Sequence, residues 1–262
     1  MFLIQFFLAL LLLQVQVQFE LVGSIPVRDA TFQTDPLGNI YVIQGDRIIK
    51  FNNRQEKIAD YSNAYLGEIG SLDATDPLRL LIHYKEFNQL LWLDNYLLEL
   101  RSPVLLDDLG IDQAELICSS SQGGFWVFNG LNDQLQYFDV NLILIQESIP
   151  VSPMTNNRKP TGMVEKNRMV YVHVPETGIL VFDRYGTYSK TLPVFPDNDF
   201  QVTDESIFYT SGKMFWKYDL ATYTNTSVNL PDIAEILNVN IQPGYIFIRN
   251  PEGIHIYRTR VD

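Results

Sequence analysis

One repeat, roughly 40 residues long, occurs six times along this chain. Each copy holds two alternating apolar runs separated by a short polar turn, and five of the six second runs end on Asp or Asn. The end residues follow at intervals of 42, 45, 44, 36 and 39, and they are Asn52, Asp94, Asp139, Asp183, Asp219 and Arg258. Short strands and turns at this period are typical of β-propeller blades. The sequence therefore predicts an all-β fold of six four-stranded antiparallel blades.

The two ends of the repeat array predict how the ring closes. The sixth copy stops at Asp262 and leaves no room for an outer strand. Residues 19–27, near the other end, contain a Ser-Ile-Pro-Val phrase that also ends the third copy at residues 148–151. A blade without its outer strand would leave an open edge. We therefore predict that the N-terminal strand completes the last blade.

Residues 34–43 (TDPLGNIYVI) carry a family resemblance. They are similar to six-bladed propellers of the NHL, lactonase-like and TolB-like kind, in which an Asp-x-x-Gly-Asn turn precedes the second strand. The match runs through Asp35, Gly38, Asn39 and Tyr41, and it covers one blade well and the others loosely. The resemblance implies the six-bladed architecture and transfers no activity.

Residues 1–13 (MFLIQFFLALLLL) are almost wholly apolar. A bilayer-spanning helix needs about 20 residues, so this run fits the core of a secretory signal peptide instead. It has no preceding Lys or Arg and no Ala-x-Ala cleavage site, which leaves a buried strand or helix as the alternative. We predict a signal peptide at 1–17, a single propeller domain at 18–262, and a periplasmic or secreted protein without stable membrane insertion after signal removal.

The formal net charge of −12 and the pI near 4.6 restrict the partners. Binding to nucleic acid or to an anionic membrane surface needs clustered Lys and Arg, so we expect neither as a partner. An acidic surface favours solubility, a basic protein partner or a cation.

The residue types that carry chemistry do not form an enzyme signature. The sequence has no Gly-x-Ser-x-Gly, no His-Glu-x-x-His and no Gly-rich phosphate loop. His83, His173 and His255 fall in the second, fourth and sixth copies, roughly 120° apart in a six-bladed ring, whereas zinc ligands must lie about 2 Å from one ion. No catalytic residue and no cofactor is therefore assigned.

The repeated carboxylates and the tryptophans are predicted to be structural. Asp side chains at strand ends bond backbone N–H groups two residues on, so we expect turn caps. This applies to Asp94, Asp139, Asp183 and Asp219, and also to Asp35, Asp76 and Asp204. Large aromatics fill the space between blades, and we expect Trp92, Trp126 and Trp216 there.

The lactonase-like resemblance implies an alternative function, a calcium-dependent hydrolase with its site at the channel mouth. Ca²⁺ takes six to eight oxygen ligands. The candidate ligands at the starts of the inner strands are Asp29, Asp73, Glu115, Asp199 and Asn240. Arg158 and Lys159 occupy the corresponding place in the fourth copy, and the family's Glu and paired Asn are not recognisable.

The leading hypothesis is a non-catalytic exported propeller that binds another protein, for example as an accessory subunit of an envelope or secretion complex. Propellers without a site motif present loops on a rigid scaffold. The loops that join one blade to the next carry the predicted partner-binding residues, which are Tyr65, Leu66, Asp107, Asp108, Leu109, Met154 and Phe195. The alternative is that the acids only solubilise this face while some of the apolar residues tuck under the loops.

Overall fold

A computed structural model describes residues 17–261 of the chain, with the side chains of residues 18–259. Residues 1–16, which hold most of the predicted signal peptide, lie outside the described residues. Six four-stranded antiparallel sheets form a six-bladed propeller, as the repeat predicts. Within the described range, no helix has the length and apolar character needed to cross a membrane.

In blades 1 to 5 the strands follow chain order from the inner to the outer position. Blade 1 contains β2 Thr31–Thr34, β3 Ile40–Gln44, β4 Arg47–Phe51 and β5 Lys57–Ser62. Blade 2 contains β6 Ser71–Asp73, β7 Leu80–Tyr84, β8 Gln89–Leu93 and β9 Val104–Leu105. Blade 3 contains β10 Ala114–Ser119, β11 Phe125–Asn129, β12 Gln134–Phe138 and β13 Leu144–Glu147. Blade 4 contains β14 Gly162–Lys166, β15 Met169–Val174, β16 Gly178–Asp183 and β17 Tyr188–Leu192. Blade 5 contains β18 Phe200–Val202, β19 Ser206–Ser211, β20 Met214–Asp219 and β21 Asn225–Val228.

Blade 6 joins the two ends of the chain. It contains β22 Asn238–Gln242, β23 Tyr245–Asn250 and β24 Gly253–Val261, and its outer strand is β1 Val17–Pro26. The antiparallel register runs from Val17 opposite Val261 to Pro26 opposite Gly253, with a bulge between Leu21 and Gly23. The predicted closure is confirmed, because β1 pairs the edge that β24 would otherwise expose.

The hydrophobic core lies between the blades. Six buried clusters occupy the six junctions between neighbouring sheets. β7 shows why the run Leu80–Ile82 is continuously apolar: Leu80 and Ile82 face blade 1, whereas Leu81 faces blade 3. A strand covered on both sides needs apolar residues at odd and even positions alike. Trp92 and Trp126 are buried in such strands, as expected, and Trp216 is half-buried at the edge of a cluster.

Polar links reinforce the same six junctions. Glu165 on β14 is buried and accepts hydrogen bonds from the Trp126 indole and the Ser121 amide, both at 2.9 Å. Because this carboxylate has partners in the neighbouring blade, its burial fixes two sheets together. The links around the ring are Lys50 to Asn95, Asp73 to Ser119, Glu165 to Trp126, Lys166 to Asp204, Gln201 to Ile241 and Gln242 to Thr34.

Three short helical segments lie in the links between blades. They are two 3₁₀ turns, Ala64–Leu66 and Asp107–Leu109, and α1, Ser152–Thr155. Strand direction places these links on the face where every inner strand begins, together with the turns between second and third strands. We call this the channel-mouth face. The remaining turns, with the chain ends Val17 and Val261, lie on the opposite face.

The repeated carboxylates cap turns on the opposite face, as predicted. Asp94, Asp139 and Asp183 each accept the backbone N–H groups two and four residues further on, at 2.7–2.9 Å. Asp219 accepts the N–H groups of the second and third following residues.

Asp35 and Asp76 cap turns as expected, and Asp204 differs. Asp35 and Asp76 each accept the N–H group two residues on, at 2.9 and 3.0 Å. Asp204 instead pairs with Lys166 at 3.0 Å. The turn beside it is capped by the hydroxyl of Thr203, which accepts the Ser206 amide. The interpretation of Asp204 as a turn cap was therefore wrong, because the preceding threonine fills that place.

Candidate functional site

The most exposed large apolar side chain in the channel-mouth face belongs to Tyr65, which is 96% exposed. It sits in the 3₁₀ turn Ala64–Leu66, and the Asn63 side chain accepts its backbone N–H at 3.2 Å. The next residue, Leu66, is buried in the cluster between blades 1 and 2. Leu66 therefore anchors the turn from below, and Tyr65 is held outward on a fixed support.

Phe87 lies beside this turn and was missed from the sequence. It occupies the turn between β7 and β8 and is 47% exposed. Gly67, directly after Leu66, has a φ of 78°, and a Cβ built on it would come within 2.7 Å of the Phe87 ring. Only glycine allows this approach. The signal was present, because a Phe in the turn Lys-Glu-Phe-Asn stands where polar residues are usual.

Carboxylates surround this aromatic pair, defined here as Tyr65 and Phe87. Glu68 and Glu86 are exposed next to Gly67 and Phe87 in sequence, and Asp107 and Asp108 open the 3₁₀ turn of the next link. The Asp107 carboxylate accepts a hydrogen bond from the amide of Asn88, the residue after Phe87. None of these four carboxylates forms an ion pair with another described residue. The pair is therefore set in a negative field.

Of the other apolar residues predicted to bind a partner, two are half-buried under the links and one is exposed. Leu109 and Met154 are half-buried and pack on the clusters between blades 2 and 3 and between blades 3 and 4. With Leu66, they tuck under the links. Phe195 is 45% exposed, but it lies at the junction of blades 4 and 5. That is three junctions from Tyr65, so the two residues stand on opposite sides of the channel.

The five calcium candidates are not brought together. Asp29 lies in the exposed link before β2, on the channel-mouth face. Asp73 instead ends β6, towards the opposite face, and accepts a hydrogen bond from the Ser119 amide at 2.7 Å. Asn240 is in the middle of β22. Across residues 17–261, no group of three or more His, Cys, Asp and Glu side chains is placed to hold a metal ion. The expectation that all five mark strand starts was wrong for Asp73 and Asn240.

Glu115 and Asp199 lie near the starts of their strands, but in different surroundings. Lys85 donates a hydrogen bond to Glu115 at 2.7 Å, and this contact lowers the pKa of the carboxyl. Lys159 approaches the same group at 3.6 Å. Asp199 is exposed at the channel mouth, and desolvation by the surrounding protein raises the pKa of its carboxyl although Asn238 donates a hydrogen bond to it. Because Lys85 and Lys159 already balance the charge of Glu115, this carboxylate is a poor ligand for a cation.

The histidines lie in strands of three different blades, as predicted. His83 on β7 is buried, and desolvation lowers its pKa to about 4. His173 on β15 is buried beside Thr161, and His255 on β24 lies between Ser24 and Asn250, at 3.0 Å from each. Their placement gives no shared site.

Comparisons with known proteins support the fold. No protein-family model matches the chain, and no curated protein matches its sequence. A streptogramin B lyase structure superposes with a TM-score of 0.63 at 12% identity, over 93% of this chain and 98% of that one. The Neurospora crassa Pan2 WD40 domain gives 0.63 at 12% identity, over 91% and 81%. BBS1N, solved in complex with ARL6DN, gives 0.54 at 14% identity, over 85% and 77%. At these identities the likeness establishes a shared propeller fold and nothing finer.

Proposed function

We propose that this propeller is a non-catalytic, exported module that binds another protein through its channel-mouth face. The observation that carries the proposal is the outward placement of Tyr65 on a turn anchored by buried Leu66, with Phe87 beside it. Rigid aromatic side chains are the usual anchors of protein interfaces, because they bury much area at a small cost in conformational entropy.

The charges around the aromatic pair indicate the kind of partner. Glu68, Glu86 and Asp108 are exposed and have no cationic partner among the described residues. Such a field attracts a basic surface and speeds its encounter with the face. The partner in this proposal is therefore a protein with a basic patch and a pocket for an aromatic ring, on its own or within a membrane complex. Nucleic acid does not fit the charge.

Two further observations support parts of the proposal. BBS1N, a structural neighbour, was solved in a protein complex, so this architecture is compatible with a binding role. The apolar residues 1–13 support export to the periplasm or the outside of the cell. Protein binding and export together fit an accessory subunit of an envelope or secretion complex, and this role belongs to the same proposal.

Photo-crosslinking tests the interface. A benzophenone amino acid replaces Tyr65 in one variant and Tyr185 in a matched control, since Tyr185 is exposed on the opposite face. We expect a crosslinked protein from the source cells at position 65 only. Tyr65→Ala should then weaken binding of that protein by about 2 kcal/mol. Crosslinks at position 185 alone would show that the opposite face is the working one.

Kinetics with the same partner test the electrostatic part. The double variant Asp107→Lys, Asp108→Lys should mainly slow association, and more strongly at low salt, because long-range attraction acts on the encounter. Dissociation should change little. An association rate that is unchanged at low salt would remove the basic partner from the proposal.

A further inference from the structure

The outer edges of the blades are not equally protected. A propeller leaves the outermost strand of each blade with one unpaired edge, and proteins guard such edges with Lys, Pro, bulges or short strands. β5 carries Lys57 and Asp60, which form an ion pair, and β17 carries Lys190. β21 is mostly polar, β9 has two residues, and β1 has a bulge and Pro26.

β13 of blade 3 is a four-residue strand with a bulge at Ile145, but it carries no Lys and no Pro. It is the last strand of its sheet, so no described strand pairs with its outer edge. Ile143, Leu144, Ile145 and Ile149 on and beside it are between 41% and 64% exposed. The chain contains no Lys or Arg from residue 102 to residue 157, a span that includes all of blade 3. This edge is therefore apolar, open and free of the lysines that discourage pairing.

Two arginines lie at the junction of blades 2 and 3, on the face where β13 begins. Arg79 and Arg101 flank the Trp92 ring at 5.7 and 5.5 Å from its centroid. The Arg79 guanidinium donates a hydrogen bond to the Gly123 carbonyl, and Val140, just before β13, lies on the same glycine, since a Cβ built there would meet Val140 at 3.0 Å and Arg79 at 3.7 Å. Neither guanidinium has a carboxylate partner among the described residues. In a chain of net charge −12, two cations without an ion pair near an apolar edge favour an acidic group.

We infer that β13 takes an extended segment of a partner protein as a fifth strand of blade 3, separately from the channel-mouth face. The added strand supplies the missing backbone hydrogen bonds, and its apolar side chains cover Ile143 and Ile145. Running antiparallel to β13, it ends near Val140. Its C-terminal end carries Asp, Glu or the chain's own carboxylate, which meets Arg79 and Arg101.

Selection from a displayed library of random twelve-residue peptides tests this edge. We expect enrichment of peptides with β-branched apolar residues followed by a C-terminal acidic residue. A fluorescein-labelled copy of the leading peptide should bind Ile145→Lys at least tenfold more weakly, because the lysine blocks the edge. Arg101→Glu should weaken the same peptide by a similar factor. Thr226→Lys, on the matched outer strand β21, should bind it like the unchanged chain.

Hydrogen exchange identifies where the peptide lies. Bound peptide should protect the amides of residues 143–149 and leave the Tyr65 and Phe87 turns unchanged, which keeps this test apart from that of the channel-mouth face. No enrichment, or equal binding to Ile145→Lys and Arg101→Glu, would overturn the inference. A dimer of the unchanged chain that Ile145→Lys abolishes would also overturn the inference. It would show that a second copy of this chain pairs with β13. If Ile145→Lys does not fold, the exposed Arg101→Glu still decides.

Discussion

The two faces of the ring use their carboxylates in different ways. On the opposite face, Asp94, Asp139 and Asp183 accept hydrogen bonds from backbone N–H groups at the same position in three blades. On the channel-mouth face, Glu68 and Asp108 have no such bonds and lie exposed. A carboxylate that recurs at fixed register is thus part of the turn, whereas one that breaks the repeat is available to a partner.

The comparison also explains why acidic composition is a poor guide to a metal site here. The candidate oxygen ligands are held apart by their blades, and Glu115 is occupied by Lys85. Negative charge on the channel-mouth face therefore acts as a field over a broad surface. A single carboxylate such as Glu115 is neutralised where a lysine from a neighbouring blade reaches it.

Removal of β1 tests the ring that keeps the faces apart, and it should have the largest effect. A chain that begins after Val27 loses the whole register between β1 and β24, and it exposes the edge of β24. We expect the soluble monomer to disappear, as measured by size-exclusion chromatography. A chain that begins at Val17 is the control and should remain monomeric. A monomeric deletion with an unchanged Tm would contradict closure by β1.

Paired substitutions test the division between the faces directly. Asp35 is buried and accepts hydrogen bonds from the Leu37 and Asn39 amides and from the Tyr41 hydroxyl. Asp35→Ala leaves these donors unpaired and should lower the free energy of unfolding by about 3 kcal/mol. Asp108→Ala on the channel-mouth face should change it by less than about 0.5 kcal/mol. Urea denaturation measures both, and equal losses would erase the distinction.

Acid should destabilise the folded protein through His83. Its pKa is about 4 in the folded protein and 6.5 in the unfolded chain, so only the unfolded chain gains a proton between these values. Stability must then fall as pH drops from 6.5 towards 4, by about 2 kcal/mol between pH 7 and pH 5. His83→Gln removes this contribution. Urea denaturation at several pH values should give a flatter curve for the variant, and parallel curves would refute the assignment.

The smallest effect is expected from metal removal. With Asp73 and Asn240 away from the strand starts and Glu115 held by Lys85, EDTA should leave the Tm unchanged. Bound calcium would instead raise the Tm by mass action. A clear decrease with EDTA, reversed by added Ca²⁺ and not by Mg²⁺, would restore the lactonase-like hypothesis.

The sequence by itself determined the number of blades, the strand order and the closure of the ring. These follow from a periodic pattern: apolar alternation marks the strands, Asp or Asn ends five of the six second runs, and the shared Ser-Ile-Pro-Val phrase joins residues 24–27 to the outer-strand position. The caps at Asp94, Asp139 and Asp183 were predictable for the same reason, since each bond is made within five residues of chain.

Only the tertiary structure decided which irregular residues face solvent. Tyr65 and Leu66 are neighbours in one short turn, yet one is exposed and the other is buried, because the turn rests on the junction of blades 1 and 2. Phe87 joins Tyr65 only through the close approach at Gly67. Such contacts link different blades, and a local pattern holds no information about what lies across a junction.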